Sequence, residues 1–104
     1  MRVATPAELR RAPRADIALP CTLRRPVGRP IVARTLNVGA GGMLVSSSRP
    51  LTVDEPLDFD LATVGVLVSG QARVLRHQQL DVYALRFERL PPPIAGHLRA
   101  LASA

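Results

Sequence analysis

The chain of 104 residues contains no tryptophan, one tyrosine, two phenylalanines and one cysteine, and its 14 basic residues are all arginine. Aromatics at 3% leave few platforms on which single-stranded bases could stack. The lone Cys21 permits no internal disulfide and fits a reducing compartment. No apolar run approaches the roughly 20 residues that a membrane-spanning helix needs. Met1 to Pro6 carries one charge with no apolar stretch behind it, which argues against a secretory signal and for a cytoplasmic location. Neither His77 nor His97 has a second ligand at metal spacing, so no metal site is expected. Ser46, Ser47 and Ser48 lack a nucleophile-elbow motif. Asp58 and Asp60 share one strand face without a nucleophile or acid–base partner, which reads as a wet face rather than a catalytic pair. No enzyme is expected.

What remains is a composition that can fold. Hydrophobic residues make up 47% and charged residues 21%, a globular balance. One domain is the default at this length, and such a domain buries roughly two-thirds of its unfolded surface. The formal net charge is +6. Arginine offers a planar fork that matches phosphate and guanine edges and stacks on rings, so the excess points to an anionic partner, although solubility alone would also account for it.

Periodicity divides the chain into short strands. Residues 1–9 show no pattern and read as a flexible arm before a single domain over 10–104. Ile17, Leu19, Cys21 and Leu23 alternate with Ala18, Pro20, Thr22 and Arg24, a half-buried strand that Pro20 assigns to an edge or a bulge. A turn over Arg25–Pro30 leads to a β-branched run, Ile31–Val38. Gly39–Gly42 breaks that run, and Met43–Ser47 resumes as strand. Leu57, Phe59 and Leu61 alternate with Asp58 and Asp60. A longer strand from Gly65 to about Arg76 is interrupted by Gly70, where a bulge or barrel bend is expected. His77–Asp81 reads as a polar turn. Tyr83, Leu85 and Phe87 alternate in the last strand. After Pro91–Pro93, Ile94, Leu98 and Leu101 fall at helical spacing and predict a helix over about 93–102. The sum is a mostly β protein, a small six-stranded antiparallel, Greek-key-like β-barrel with a C-terminal α-helix.

Two segments carry the candidate chemistry. Arg10-Arg11-Ala12-Pro13-Arg14 is a basic stretch that Pro13 biases toward an extended or turned loop. Its guanidinium groups can bind phosphate, take guanine O6 and N7, or lie flat on a purine. Its bland reading is a solvated basic arm. Asn37-Val38-Gly39-Ala40-Gly41-Gly42 places a donor and acceptor at a strand end, followed by glycines that permit positive φ and close backbone approach. Its bland reading is a tight hairpin. It is no dinucleotide fingerprint, because a strand and not a helix follows. Cys21 falls on the apolar parity of its strand and reads as a small core residue. His77 and His97 read as surface histidines.

In this order and separation the two segments resemble the PilZ domain family, a bacterial receptor module for cyclic di-GMP. The family signature is R-x-x-x-R in an N-terminal loop, then [D/N]-x-S-x-x-G at the start of the barrel. Here Arg10 and Arg14 fill the first part, and Asn37 and Gly42 fill the second. Gly41-Gly42-Met43 and Ala84-Leu85-Arg86-Phe87 also fit, with Ala84 where the family often has glycine. The resemblance spans roughly residues 9–102. It implies that Arg10 and Arg14 clamp guanine edges and phosphates, with Arg11 and Gly39 also among the ligand-binding residues, that Asn37 reads a guanine edge, and that Gly42 lets ligand and backbone approach. Gly39 stands where the family usually has serine. Loss of one hydroxyl hydrogen bond costs about 0.5–1.5 kcal/mol, or about 1.5–3 kcal/mol to a charged group, so the implied binding is weakened rather than abolished.

The expectation is a signalling effector that takes cyclic di-GMP as ligand, needs no other cofactor, and acts on a separate protein partner as a monomer or homodimer. One alternative is a PilZ-like adaptor that binds protein and no nucleotide. The other is a small basic nucleic-acid-binding barrel, against which the poverty of aromatics counts.

Overall fold

The structure, a computed structural model, describes residues 14–103. Among these residues seven strands are followed by one helix. They are β1 (Arg14–Ala15), β2 (Pro20–Arg24), β3 (Ile31–Gly39), β4 (Gly42–Ser47), β5 (Pro56–Thr63), β6 (Val66–Gln79), β7 (Val82–Glu88) and α1 (Pro92–Ser103). Antiparallel pairing runs β3-β2-β5-β6-β7-β4, and β4 pairs back to β3, so six strands close into a barrel. The expected barrel and terminal helix are therefore present, and closure removes the exposed edges that a small sheet would otherwise offer. The flexible arm expected over residues 1–9 lies outside the described residues, as do Arg10 and Arg11.

Alternation puts one face of every strand inside. Leu23, Ile31, Val45, Phe59, Leu61 and Val68 are all at most 1% exposed. Phe59 stacks on Phe87 with ring centroids 5.1 Å apart. Cys21 is in this core, as expected, where burial pushes its thiol up to about 12, helped by the nearby Asp60 charge. The helix begins on the proline run, where missing N–H groups cost nothing. The Pro91 carbonyl accepts from the amides of Ile94 and Ala95. Leu98 is fully buried, and Ile94 and Leu101 pack beside it, so α1 covers the barrel against β1 and β3. His97 is half-buried and hydrogen-bonded to the Thr63 hydroxyl at 2.9 Å, so it ties the helix to the β5–β6 hairpin instead of standing free on the surface.

Three local expectations need correction. The ladder passes through Gly70 in unbroken register, opposite Phe59. A Cβ there would lie 2.9 Å from Leu90 and 3.2 Å from the Phe59 ring, so packing and not a bulge requires the glycine. The segment His77–Gln79 is strand and not turn, because β6 continues to Gln79 and only Leu80–Asp81 turn the chain. Finally, Ile17–Leu19 is not part of the strand that holds Cys21. Pro20 opens β2, a first position at which proline withdraws no needed ladder donor.

Candidate functional site

The site is built where β3, β4, β6 and β7 meet. An open groove of about 400 Å³ lies over the outer face of the β4–β7 pair. Its floor is Leu44 facing Ala84 across the two strands, with Gly42 opposite Arg86 one step along. Ala84 thus presents only a methyl group at a position where a larger side chain would fill the groove.

Two β-bulges aim polar side chains into this groove. On β3, Ile31, Ala33 and Thr35 point inward, and strict alternation would send Asn37 inward too. The register slips between Thr35 and Asn37, so Leu36 and Asn37 both face outward and Val38 returns to the core. On β6 the register slips between Val74 and Arg76. Val74 is buried, Leu75 is the extra residue, and Arg76 emerges on the outer face opposite Ala84. Each bulge inserts one residue and reverses the inside–outside parity beyond it, a common way to redirect a side chain. A second slip between His77 and Gln79 follows, and Gln78 beside it also lines the groove. Arg76 Nε donates to Gln78 Oε1 at 3.3 Å.

In the β3–β4 hairpin, Gly42 works by size and not by handedness. Among the described residues the glycines with positive φ are Gly28 and Gly65, and none of Gly39, Gly41 and Gly42 is among them. A Cβ on Gly42 would lie 2.3 Å from the Leu85 carbonyl oxygen. Gly42 is therefore required by the approach of β7, whatever else comes near. Gly41 has open space around it, and its carbonyl accepts from the Phe87 amide at 3.0 Å. Gly39 is buried at the end of β3.

The two sequence segments meet through β1. Arg14 pairs with Gly39 and Ala15 with Val38 along the free edge of β3, beyond the stretch that β2 occupies. The end of the arginine segment is thereby fixed beside the hairpin that carries Asn37 and Gly42. Arg10 and Arg11 fall outside the described residues.

The electrostatics of the groove are those of a cationic surface. No carboxylate is among its lining residues within the described chain. Arg76 and Arg86 have no carboxylate partner among the described residues, and both are exposed. Neither stood out in the sequence. The signal that could have flagged Arg86 was its place within Ala84–Phe87, next to the small residue of the floor. Arg76 carried none, since its outward direction depends on the bulge. Elsewhere on the barrel, Arg24, Arg25 and Arg73 pair with carboxylates. Arg24 forms a fork with Asp60, and Asp60 also accepts from the Ser69 hydroxyl at 2.6 Å. Arg24 first, then Ser69, holds the Asp60 carboxyl below the usual carboxylate range. Asp58 and Asp60 lie on a wet strand face, as expected, and Asp60 is ion-paired there. Among the described residues no group of histidine, cysteine and carboxylates is arranged to hold a metal ion.

Comparison with known proteins agrees with this architecture. The family model described as PilZ domain matches residues 8–104. The chain is similar in structure to the Bacillus subtilis inhibitor of motility MotI/DgrA, with a TM-score of 0.82 at 16% identity, covering 99% of this chain and 52% of that one. It thus spans about half the length of that protein. It is also similar to the PilZ domain of CeSA from a cellulose-synthesizing bacterium, with a TM-score of 0.68 at 14% identity, covering 86% of this chain and 94% of that one. At these identities the likenesses establish the fold alone. No curated protein matches the chain.

Proposed function

The chain belongs to the PilZ domain family, and on that premise we propose that it is a regulatory module that binds cyclic di-GMP in the β4–β7 groove. The observation that carries this reading is the β1–β3 pairing, which sets Arg14 opposite Gly39 and so joins the two halves of the signature. In this reading Arg10, Arg11 and Arg14 take guanine edges and phosphates, as their planar forks suit. Asn37 lies at the groove for a guanine edge, and the hairpin at Gly39–Gly42 leaves room for the ligand. Arg76 and Arg86 face the same space and supply positive charge for the phosphates. Binding then fixes the arginine loop across the barrel, and the new surface is what a downstream protein recognises. No step requires catalysis.

A specific observation favours a second reading, a PilZ adaptor that binds protein without nucleotide. Gly39 has no hydroxyl where the signature has serine, and a missing hydrogen bond is a loss that the rest of the groove must offset. The nucleic-acid reading has less support. Phe59 and Tyr83 are in the core and Phe87 stacks on Phe59, so the barrel offers bases no exposed aromatic platform among the described residues.

Calorimetric titration with cyclic di-GMP, with Arg14→Ala as control, tests the reading. A receptor gives saturable heat that the variant loses. At a hundredfold excess over Kd, ligand stabilises the fold by about 2.7 kcal/mol, and each kcal/mol raises Tm by about 4–8 °C in a domain of this size. A folded sample with no heat and no thermal shift at millimolar ligand would sink the receptor reading and leave the adaptor.

A further inference from the structure

Between β1 and β2 the chain departs from β3 over residues 16–19, and regular ladder bonds stop. One buried polar side chain fills the gap. Thr35, 2% exposed, accepts from the Leu19 amide through Oγ1 at 2.8 Å and donates from the same hydroxyl to the Ile17 carbonyl at 2.6 Å. Its own amide donates to the Leu19 carbonyl at 3.0 Å. Three polar groups of the irregular segment are thus satisfied by one residue. Threonine suits this place because its methyl group belongs in the core while its hydroxyl can donate and accept at once.

The position of Thr35 gives these bonds a second consequence. Five residues upstream of Leu19 is Arg14, paired to Gly39 by a strand of only two residues. So short a ladder is weak alone, since two residues bury little and close few bonds. Immediately downstream of Thr35 begins the bulge that turns Asn37 outward. One side chain therefore stands between the root of the arginine segment and the hairpin that faces it.

We propose that Thr35 is the positioning residue of the site: its hydroxyl clasps Ile17 and Leu19 and so holds Arg14 beside the Asn37–Gly42 hairpin in the binding-competent geometry. It touches no ligand. Without the hydroxyl, the Leu19 amide and Ile17 carbonyl lose their partner, the segment opens, and the competent fraction falls. Apparent affinity falls by the same fraction. The inference rests on the receptor reading for its ligand effect, and on geometry alone for the clasp.

The test compares Thr35→Val, which is isosteric, Thr35→Ser, which keeps the hydroxyl, and Val68→Ala, a core truncation on the far wall. Two measurements are made: calorimetric titration with cyclic di-GMP, and amide hydrogen exchange at Leu19 referenced to core amides. Thr35→Val is expected to weaken binding about tenfold and to speed Leu19 exchange beyond what its global stability loss explains. Thr35→Ser should restore both, and Val68→Ala should change stability without either effect. Unchanged affinity in a folded Thr35→Val variant overturns the inference, as does equal weakening by Val68→Ala. Should the wild type bind no cyclic di-GMP, the receptor reading fails by itself. The clasp is then decided by exchange: a Leu19 amide as slow in Thr35→Val as in wild type overturns it, and one that speeds up and is rescued by serine upholds it.

Discussion

The two outer walls of the barrel use the same residue type to opposite ends. On and beside the wall of β2, β5 and the first half of β6, outward arginines meet carboxylates: Arg24 with Asp60, Arg25 just past β2 with Glu55 just before β5, and Arg73 with Glu88 at the end of β7. On the wall of β4, β7 and the second half of β6, Arg76 and Arg86 line a groove with no carboxylate among the described residues. The first wall is also regular, with β5 and β6 paired residue for residue, whereas the second is flanked by bulges. Net charge alone could not separate these walls. A basic chain points to an anionic partner only where its charge is left uncompensated, and that is decided by which strands become neighbours.

The largest effect that would sharpen this contrast is on ligand affinity. Arg10→Ala combined with Arg14→Ala removes two charge-assisted donors, each worth about 1.5–3 kcal/mol. Titration calorimetry is expected to show at least a hundredfold loss of cyclic di-GMP binding, with the Tm of the free protein nearly unchanged. An equal loss from Arg24→Ala would break the contrast by making the far wall part of the site.

Next is a difference between adjacent glycines. Gly42→Ala drives a methyl group into the Leu85 carbonyl and should lower stability by about 1–3 kcal/mol, the usual cost of forced overpacking. Gly41→Ala meets nothing within 4 Å and should be neutral or stabilise by up to about 1 kcal/mol through the unfolded chain. Denaturant unfolding of the two variants checks the sign of each.

Arg86→Ala and Arg73→Ala form the direct pair, since the two residues face each other across β6 and β7. Arg86→Ala is expected to weaken ligand about tenfold without changing Tm. Arg73→Ala should do the reverse, losing its bonds to Glu88 and the Asp54 carbonyl while binding as before. Identical behaviour of the pair would remove the distinction between neutralised and free arginine.

The smallest effect is acid sensitivity of the paired wall. Arg25 is the main cause that holds the Glu55 carboxyl below its ordinary range. A depressed carboxylate contributes stability above its unfolded value, and that contribution disappears as pH falls through the folded value. Partly exposed pairs of this kind are worth about 0.2–1 kcal/mol. Glu55→Gln should therefore flatten the decline of Tm between neutral pH and about pH 3 by a few degrees and leave the neutral ligand affinity alone.

Much of the barrel was legible because alternation is a local property. Leu57, Phe59 and Leu61 had to share a face once they were strand, and the helix followed from Ile94, Leu98 and Leu101. The signature residues were legible as a pattern of types and separations. Thr35 was not, because nothing in a β-branched run marks one threonine as the partner of an irregular segment sixteen residues earlier. The end of β6 misled for a related reason: His77–Gln79 is polar enough to read as turn, yet pairing with β7 and the stack of His77 on Tyr83 hold it as strand.

By itself, then, the sequence determined the six barrel strands in outline, the terminal helix, the apolar interior and the candidate residues of the signature, since each depends on periodicity or on side-chain type. Only the tertiary structure decided where those residues face. Asn37 and Arg76 reach the groove because two bulges reverse parity, and Arg14 stands beside Gly39 because β1 takes the free edge of β3. A one-residue slip in register is a matter of which strand pairs with which, and it turns a side chain from core to surface without altering a single residue.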